Sequence, residues 1–202
     1  MRELVLASAS PRRRMLLSRW GFSFRVIPSS IRENVRFRSP RQLAEKLSAM
    51  KAEAVRKRAS RDSVIVASDL VVSLKGKIFG KPIDALEAVR MLKRLSGRTH
   101  RIFCGVTVLD NPSGRRKTGC VSAKITFKKL SDEEILRYVS TGEPNDKAGA
   151  YAIQGKGRRL IAKIQGELSA IIGLSKQLTL KYLRETGIRP GTGGIVRVRT
   201  GP

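Results

Sequence analysis

Short apolar runs of strand character alternate with amphipathic helical stretches along most of the chain, and that alternation dictates an α/β fold. Leu4, Val5 and Leu6 open a strand, and Pro11 to Trp20 then reads as a helix stopped by Gly21. Phe22 to Ile27 is extended. Leu43, Leu47, Met50 and Ala54 recur at helical spacing, so Pro40 to about Arg58 reads as a long amphipathic helix. Val64 to Leu74 is the most apolar strand, and a hairpin turn follows at Lys75-Gly76-Lys77. Asp84 with Glu87 forms a capping box before Val89, Leu92 and Leu95, and Gly97 ends that helix. Arg101 to Leu109 is a strand, Asn111 to Gly114 a turn, and Val121, Ala123, Ile125 and Phe127 alternate as a half-buried strand. Ser131 with Glu134 caps a helix running through Val139, and Leu174 to Leu183 is the last helix. With 202 residues and 41% hydrophobic content, one core of ordinary size is expected over residues 1–187. Residues 188–202 read as a flexible, basic Gly/Pro-rich tail.

Charge narrows the partners. Lys and Arg total 42 against 16 Asp and Glu, a formal net charge of +26. Such a surface concentrates polyanions, so nucleotides and, non-specifically, nucleic acid are both candidate partners. Aromatics make up 5% of residues, and no zinc-finger spacing is present, which argues against a base-stacking sheet. Two cysteines, Cys104 and Cys120, make neither a disulfide framework nor a metal cluster and read as core thiols. The single histidine, His100, excludes a multi-histidine metal site. Any metal must then rely on carboxylates, phosphates and water, which favours a hard divalent cation such as magnesium or manganese. No signal peptide or long apolar span is present, so a cytoplasmic protein with no membrane partner is expected.

Leu6-Ala7-Ser8-Ala9-Ser10-Pro11-Arg12-Arg13-Arg14 is the most suggestive stretch for chemistry. A strand ends in small residues, Ser10 is placed to cap a helix, and Pro11 occupies its first position. Helix amides there already favour an anion, and three arginines in the first turn are unfavourable unless something negative arrives. The alternative is a solvated basic turn. Asp69 is an acid amid Val64, Ile65, Val66, Val71 and Val72, and it pays a desolvation cost without a charged partner. It is a candidate metal ligand or general base; the alternative is an aspartate turned to solvent. Lys81, fixed between Gly80 and Pro82, is placed to clamp a phosphate or simply to face solvent. Gln154, at the end of the apolar run Ala150 to Ile153, could read a base edge through its amide.

Taken together these motifs resemble the Maf nucleoside triphosphate pyrophosphatases, whose fold is related to that of the inosine triphosphatases. The resemblance runs from about Leu4 to about Glu185. It rests on Leu-Ala-Ser-Ala-Ser-Pro-Arg-Arg from Leu6, on Lys51-Ala52-Glu53-Ala54, and on Val66-Ala67-Ser68-Asp69. It continues through Gly80-Lys81-Pro82, Leu95 to His100, and Asp146-Lys147-Ala148-Gly149-Ala150-Tyr151 through Gln154-Gly155. The resemblance implies an elongated, twisted mixed sheet with flanking helices and two lobes around a central cleft. It implies hydrolysis of nucleoside triphosphates to monophosphate and pyrophosphate with a divalent cation (Mg or Mn). Asp69 becomes catalytic base or metal ligand, and Glu33 a second metal-side carboxylate. Ser8, Arg12, Arg13, Lys51 and Lys81 become triphosphate binders, and Gln154 a base reader. Arg12 with Gln154 resembles the dTTP/UTP subgroup, in which Leu70 takes the place of a usual Thr. Arg32 replaces a usual acid, and Ser175 a usual Pro. A homodimer is a further expectation. The rival reading is a nucleic-acid-binding or regulatory protein that keeps the fold with weak or no turnover.

Overall fold

The structure is a computed structural model and describes residues 2–31 and 39–191, with the backbone of 198–200. Its elements run β1 (Glu3–Leu6), α1 (Pro11–Arg19), β2 (Phe24–Val26), α2 (Pro40–Arg56), β3 (Ser63–Leu74), β4 (Lys77–Phe79), α3 (Ala85–Leu95), β5 (Thr99–Asp110), β6 (Arg116–Phe127), α4 (Asp132–Val139), β7 (Ile161–Gln165), α5 (Leu168–Ile172), α6 (Lys176–Glu185) and β8 (Val198–Thr200). Two 3₁₀ turns, Ala148–Ala150 and Lys156–Leu160, lie between α4 and β7.

The eight strands form one mixed sheet in the order β7-β6-β5-β3-β1-β2-β8, with β4 also paired to β3. The half containing β8, β2, β1 and β3 is parallel, whereas β3, β5, β6 and β7 are antiparallel. The two halves meet on β3, which is twelve residues long. On one side β3 pairs with β5 from Val64 to Ser73 without a break. Its other side is shared. β1 pairs with it up to Val66, and β4 takes over only at Val72. Among the described residues, no strand pairs with that edge between those points, so the sheet opens there. A strand that changes neighbours leaves a crevice, and crevices of this kind bind ligands in α/β folds.

Side-chain alternation follows from the two-residue period of β-structure. Leu4, Leu6, Val64 and Val66 face the larger core cluster with Leu17, Leu92, Val106 and Ile125. Val5, Ala7, Ile65 and Ala67 face the opposite way and pack with Ala52 and Val55 of α2. Both faces of this part of the sheet are covered, which is why its strands read as continuous apolar runs rather than alternating ones. The approach of α2 to the sheet requires a glycine: a Cβ at Gly105 on β5 would collide with the backbone carbonyl of Ala44.

Several local expectations shift. Ser131 and Glu134 do form the reciprocal capping box of α4. At α3 only half of the expected box forms: Asp84 accepts from Glu87 N, while Glu87 Oε2 accepts from the amide of Ile83 rather than from Asp84. Neither Ser10 nor Ser39 caps its helix with its side chain. The helix expected over Leu174–Leu183 begins at Lys176, where Ser175 is the N-cap, and α5 precedes it. The run Ala150 to Ile153 is not a strand. Beyond residue 187, Ile188 packs against the larger core and Gly191 N donates to Gly21 O at 3.0 Å. β8 then pairs in parallel with β2. Among the described residues, no helix is long and apolar enough to cross a membrane.

Candidate active site

A cleft of about 790 Å³ occupies the opening in the sheet. Its wall combines the β1–α1 turn, the inner face of α2, the second half of β3, the Gly80–Lys81 loop, the 146–148 segment with Tyr151, and Gly173. Among the described residues, five cationic side chains line it (Arg12, Arg13, Lys51, Lys81 and Lys147) against two acids, Asp69 and Asp146. The excess of positive charge suits an anion of high charge density. Apolar side chains including Ile102, Ile153, Ile171 and Ile172 line the same cleft and suit a flat, weakly polar group such as a base.

Strand parity sorts the residues of β3. Asp69 continues the odd-numbered series Ile65, Ala67 toward α2, and there it forms an ion pair with Lys51 Nζ. Lys51 lies one helical turn beyond Leu47, which itself follows Leu43 at the same interval, and all three reach the cleft. Ser68 and Leu70 lie on the opposite face. Ser68 Oγ is 2.8 Å from the carbonyl oxygens of both Gly105 and Gly173, and its single proton can serve one of them at a time. A Cβ at Gly173 would lie 3.8 Å from Leu70 Cδ1, so Leu70 sits beside the α5 turn.

The β1–α1 turn is built to leave a helix start available to the cleft. Ser8 Oγ accepts from the amide of Ser10 at 3.2 Å and from Arg13 Nη1 at 3.1 Å. Arg13 Nε donates to Gly173 O at 2.9 Å. Arg13 is thus spanned between β1–α1 and α5, while Pro11 needs no amide partner. With no hydroxyl from Ser10 over the first turn, that end of α1 faces the cleft with its positive dipole end.

The structure therefore brings Ser8, Arg12, Arg13, Lys51, Asp69, Leu70 and Lys81 to one cleft. Gln154 is exposed and does not line it, although its neighbour Ile153 does. Glu33 and Arg32 lie outside the described residues. Two further lining residues, Asp146 and Lys147, belong to a motif that carries the resemblance but have no site role implied by it; they pair with each other. A charged pair in a Gly/Pro-rich stretch reads like any exposed loop. Lys147, and more weakly Arg12, hold the Asp146 carboxyl below the usual carboxylate range. Cys104, fully buried beside Ser68, has its thiol pushed up to about 11 by burial; both cysteines are free and buried.

Comparison with known proteins identifies the family. Residues 3–186 match the family described as Maf-like protein. A dTTP/UTP pyrophosphatase of Carboxydothermus hydrogenoformans is 44% identical over 185 residues, covering 92% of this chain and 99% of that one. A dTTP/UTP pyrophosphatase of Thermococcus kodakarensis is 43% identical, covering 91% and 96%. One from Bacillus pumilus is 41% identical, covering 94% and 100%. In fold, the chain is similar to a HAM1 protein from Coxiella burnetii, with a TM-score of 0.50 at 14% identity over 92% of this chain and 100% of that one. By the family match and these relatives, the chain belongs to the Maf-like family.

Proposed function

We propose that this protein is a nucleoside triphosphate pyrophosphatase that hydrolyses dTTP and UTP to the monophosphate and pyrophosphate. The observation that carries the reading is the placement of Asp69. A nearly buried carboxylate, paired with Lys51, stands in a cleft whose charged lining, among the described residues, is mostly cationic. The relatives named dTTP/UTP pyrophosphatase supply the substrate class.

In this reading the triphosphate lies along Arg12, Arg13 and Lys81, with the base against the apolar wall and Leu70. Asp69 accepts a proton from water as that water attacks the α-phosphorus. The bond from the α-phosphorus to the bridging oxygen breaks, and pyrophosphate leaves with the bridging oxygen. Phosphoryl transfer requires positioning and charge neutralisation more than covalent help, and the basic side chains supply both. A general base in such a site contributes about 10²–10⁴-fold.

The donor set fits a hard divalent cation such as magnesium or manganese. Asp69 and Asp146 are carboxylates on the cleft wall. Among the described residues, no group of three His, Cys, Asp or Glu could hold a metal. The fit is therefore to an ion that takes its remaining ligands from phosphate and water, as magnesium commonly does. Asp69 would hold it, and the resemblance implies Glu33 as a second carboxylate. Bound there, the ion would neutralise phosphate charge. The net charge of +26 also supports weak non-specific binding of nucleic acid, which a salt titration would detect as a steep loss of affinity.

The direct test is a panel of canonical and modified triphosphates with magnesium or manganese, with the released product identified. Pyrophosphate from dTTP and UTP supports the proposal, and release of orthophosphate alone contradicts it.

A further inference from the structure

The segment that carries Asp146 and Lys147 into the cleft is held in a strained backbone conformation. Gly149 has φ +74° and Ala150 φ +59°. Glycine adopts that region freely, whereas for alanine it costs on the order of 1 kcal/mol. Such a turn persists only where its flanks determine it. Before the turn, Ala150 N donates to Lys147 O at 3.0 Å and Gly149 N to Gly80 O at 2.9 Å. The second bond ties the segment to the loop bearing Lys81. After the turn, the fixed point is Tyr151, whose ring lines the cleft.

Tyr151 is anchored by a buried histidine. Its hydroxyl lies 2.7 Å from His100 Nε2. His100, Phe127 and Tyr151 meet edge to face, with ring centroids 4.8–5.4 Å apart. His100 is 1% exposed, and its Nδ1 is buried with no hydrogen-bond partner. A phenylalanine would fill this space without orphaning a ring nitrogen, and an unsatisfied buried polar atom costs about 1–3 kcal/mol. Packing alone therefore does not account for an imidazole here. What the imidazole adds is a fixed partner for the Tyr151 hydroxyl.

We propose that His100 is a positioning residue. Through its hydrogen bond to Tyr151 it fixes the Gly149–Ala150 turn, and thereby sets Lys147, together with the Gly80–Lys81 loop, against the phosphates of the substrate. The inference rests on the assignment of the cleft as a triphosphate site, and it adds Lys147 to the residues that bind phosphate.

The test uses the full chain and four variants: Tyr151→Phe, which keeps the ring and deletes the hydroxyl, His100→Phe, Lys147→Met, and Tyr151→Phe combined with Lys147→Met. Three quantities are read: kcat and KM for dTTP, Kd for inorganic tripolyphosphate by calorimetry, and Tm. Tyr151→Phe and His100→Phe should each raise KM and Kd about three- to tenfold, the scale of one lost hydrogen bond. They should leave kcat within about twofold, since uniform binding is what is lost. In the Lys147→Met background, Tyr151→Phe should have a clearly smaller effect on Kd than in the wild type, because much of its effect passes through Lys147. The inference is overturned if Tyr151→Phe shifts Tm but not KM or Kd, or if its effect multiplies with that of Lys147→Met. If the wild type binds tripolyphosphate but does not hydrolyse dTTP, the proposed reaction falls, and the Kd values still decide the role of His100. If the wild type does neither, the cleft assignment falls and this inference with it.

Discussion

Lys51 Nζ and Asp69 Oδ1 form an ion pair that joins α2 to β3 between the stretches of β3 paired by β1 and β4, with side chains only 12% and 8% exposed. The lysine comes from a helix face that otherwise presents Leu43 and Leu47, and the aspartate from a strand that is mostly aliphatic. Removing one partner of a pair this enclosed costs up to about 3–5 kcal/mol. Lys51→Met should therefore lower Tm by on the order of 10 °C. Lys163→Met, at an exposed position on β7, should leave Tm nearly unchanged. Differential scanning calorimetry of the two variants checks the contrast.

Arg13 makes two bonds that a lysine cannot make together: Nε to Gly173 O and Nη1 to Ser8 Oγ. A guanidinium holds two acceptors in fixed directions, whereas an ammonium is a point charge on a flexible stem. Arg13→Lys should thus reduce kcat/KM for dTTP about tenfold or more although the charge is kept. Arg12→Ala and Lys81→Ala should also reduce it. Unchanged kcat/KM in all three variants would remove the phosphate role from this wall.

Leu70 faces the α5 turn beside Gly173 and can form no hydrogen bond with a base. A site lacking one polar partner discriminates less sharply, because unpaired polar groups enforce much of such selectivity. The wild type should accept a broader set of pyrimidine triphosphates than dTTP and UTP alone, and Leu70→Thr should narrow it. The ranking of kcat/KM across dTTP, UTP, CTP and 7-methyl-GTP measures this. A preference for 7-methyl-GTP, or a ranking untouched by Leu70→Thr, would refute the pyrimidine assignment.

The β3 strand and the turn after β1 were legible because their signals are local. Asp69 stands out as one acid in an apolar run, and Pro11 marks a helix start whatever surrounds it. The meeting of Lys51 with Asp69 was not derivable from pattern, since it depends on the register of α2 over β3. The same holds for Lys147, placed by the bond from Gly149 to Gly80 across 69 residues of chain. Ser10 shows how a local signal can be overridden: it stands where a cap belongs, yet its amide is bound by Ser8 Oγ and its hydroxyl does not cap the helix. Gln154 fails differently. The apolar run before it looks like a strand, but Gly149 and Ala150 turn the chain and leave Gln154 exposed.

Burial lowers His100 from its ordinary 6.5 to about 4. Between those values the unfolded chain binds a proton that the folded chain does not, so stability rises with pH through this window and is lost as pH falls through it. The full effect is on the order of 3 kcal/mol. His100→Phe should flatten the slope. Urea midpoints of wild type and variant at pH 4.5 and pH 7 provide the check, and carboxylates such as Asp110 and Asp146 contribute equally to both proteins. Identical slopes would show that His100 is not buried as a neutral ring.

The most direct measurement is pyrophosphate release from dTTP by the wild type and by Asp69→Asn, on samples with matching circular dichroism spectra. Asn preserves the shape of the side chain but cannot accept the proton or carry the charge that faces Lys51. The wild type should release one pyrophosphate for each dTMP formed, and Asp69→Asn should be slower by about a hundredfold or more. Turnover of Asp69→Asn within a few-fold of wild type, or orthophosphate as the product of the wild type, would contradict the account.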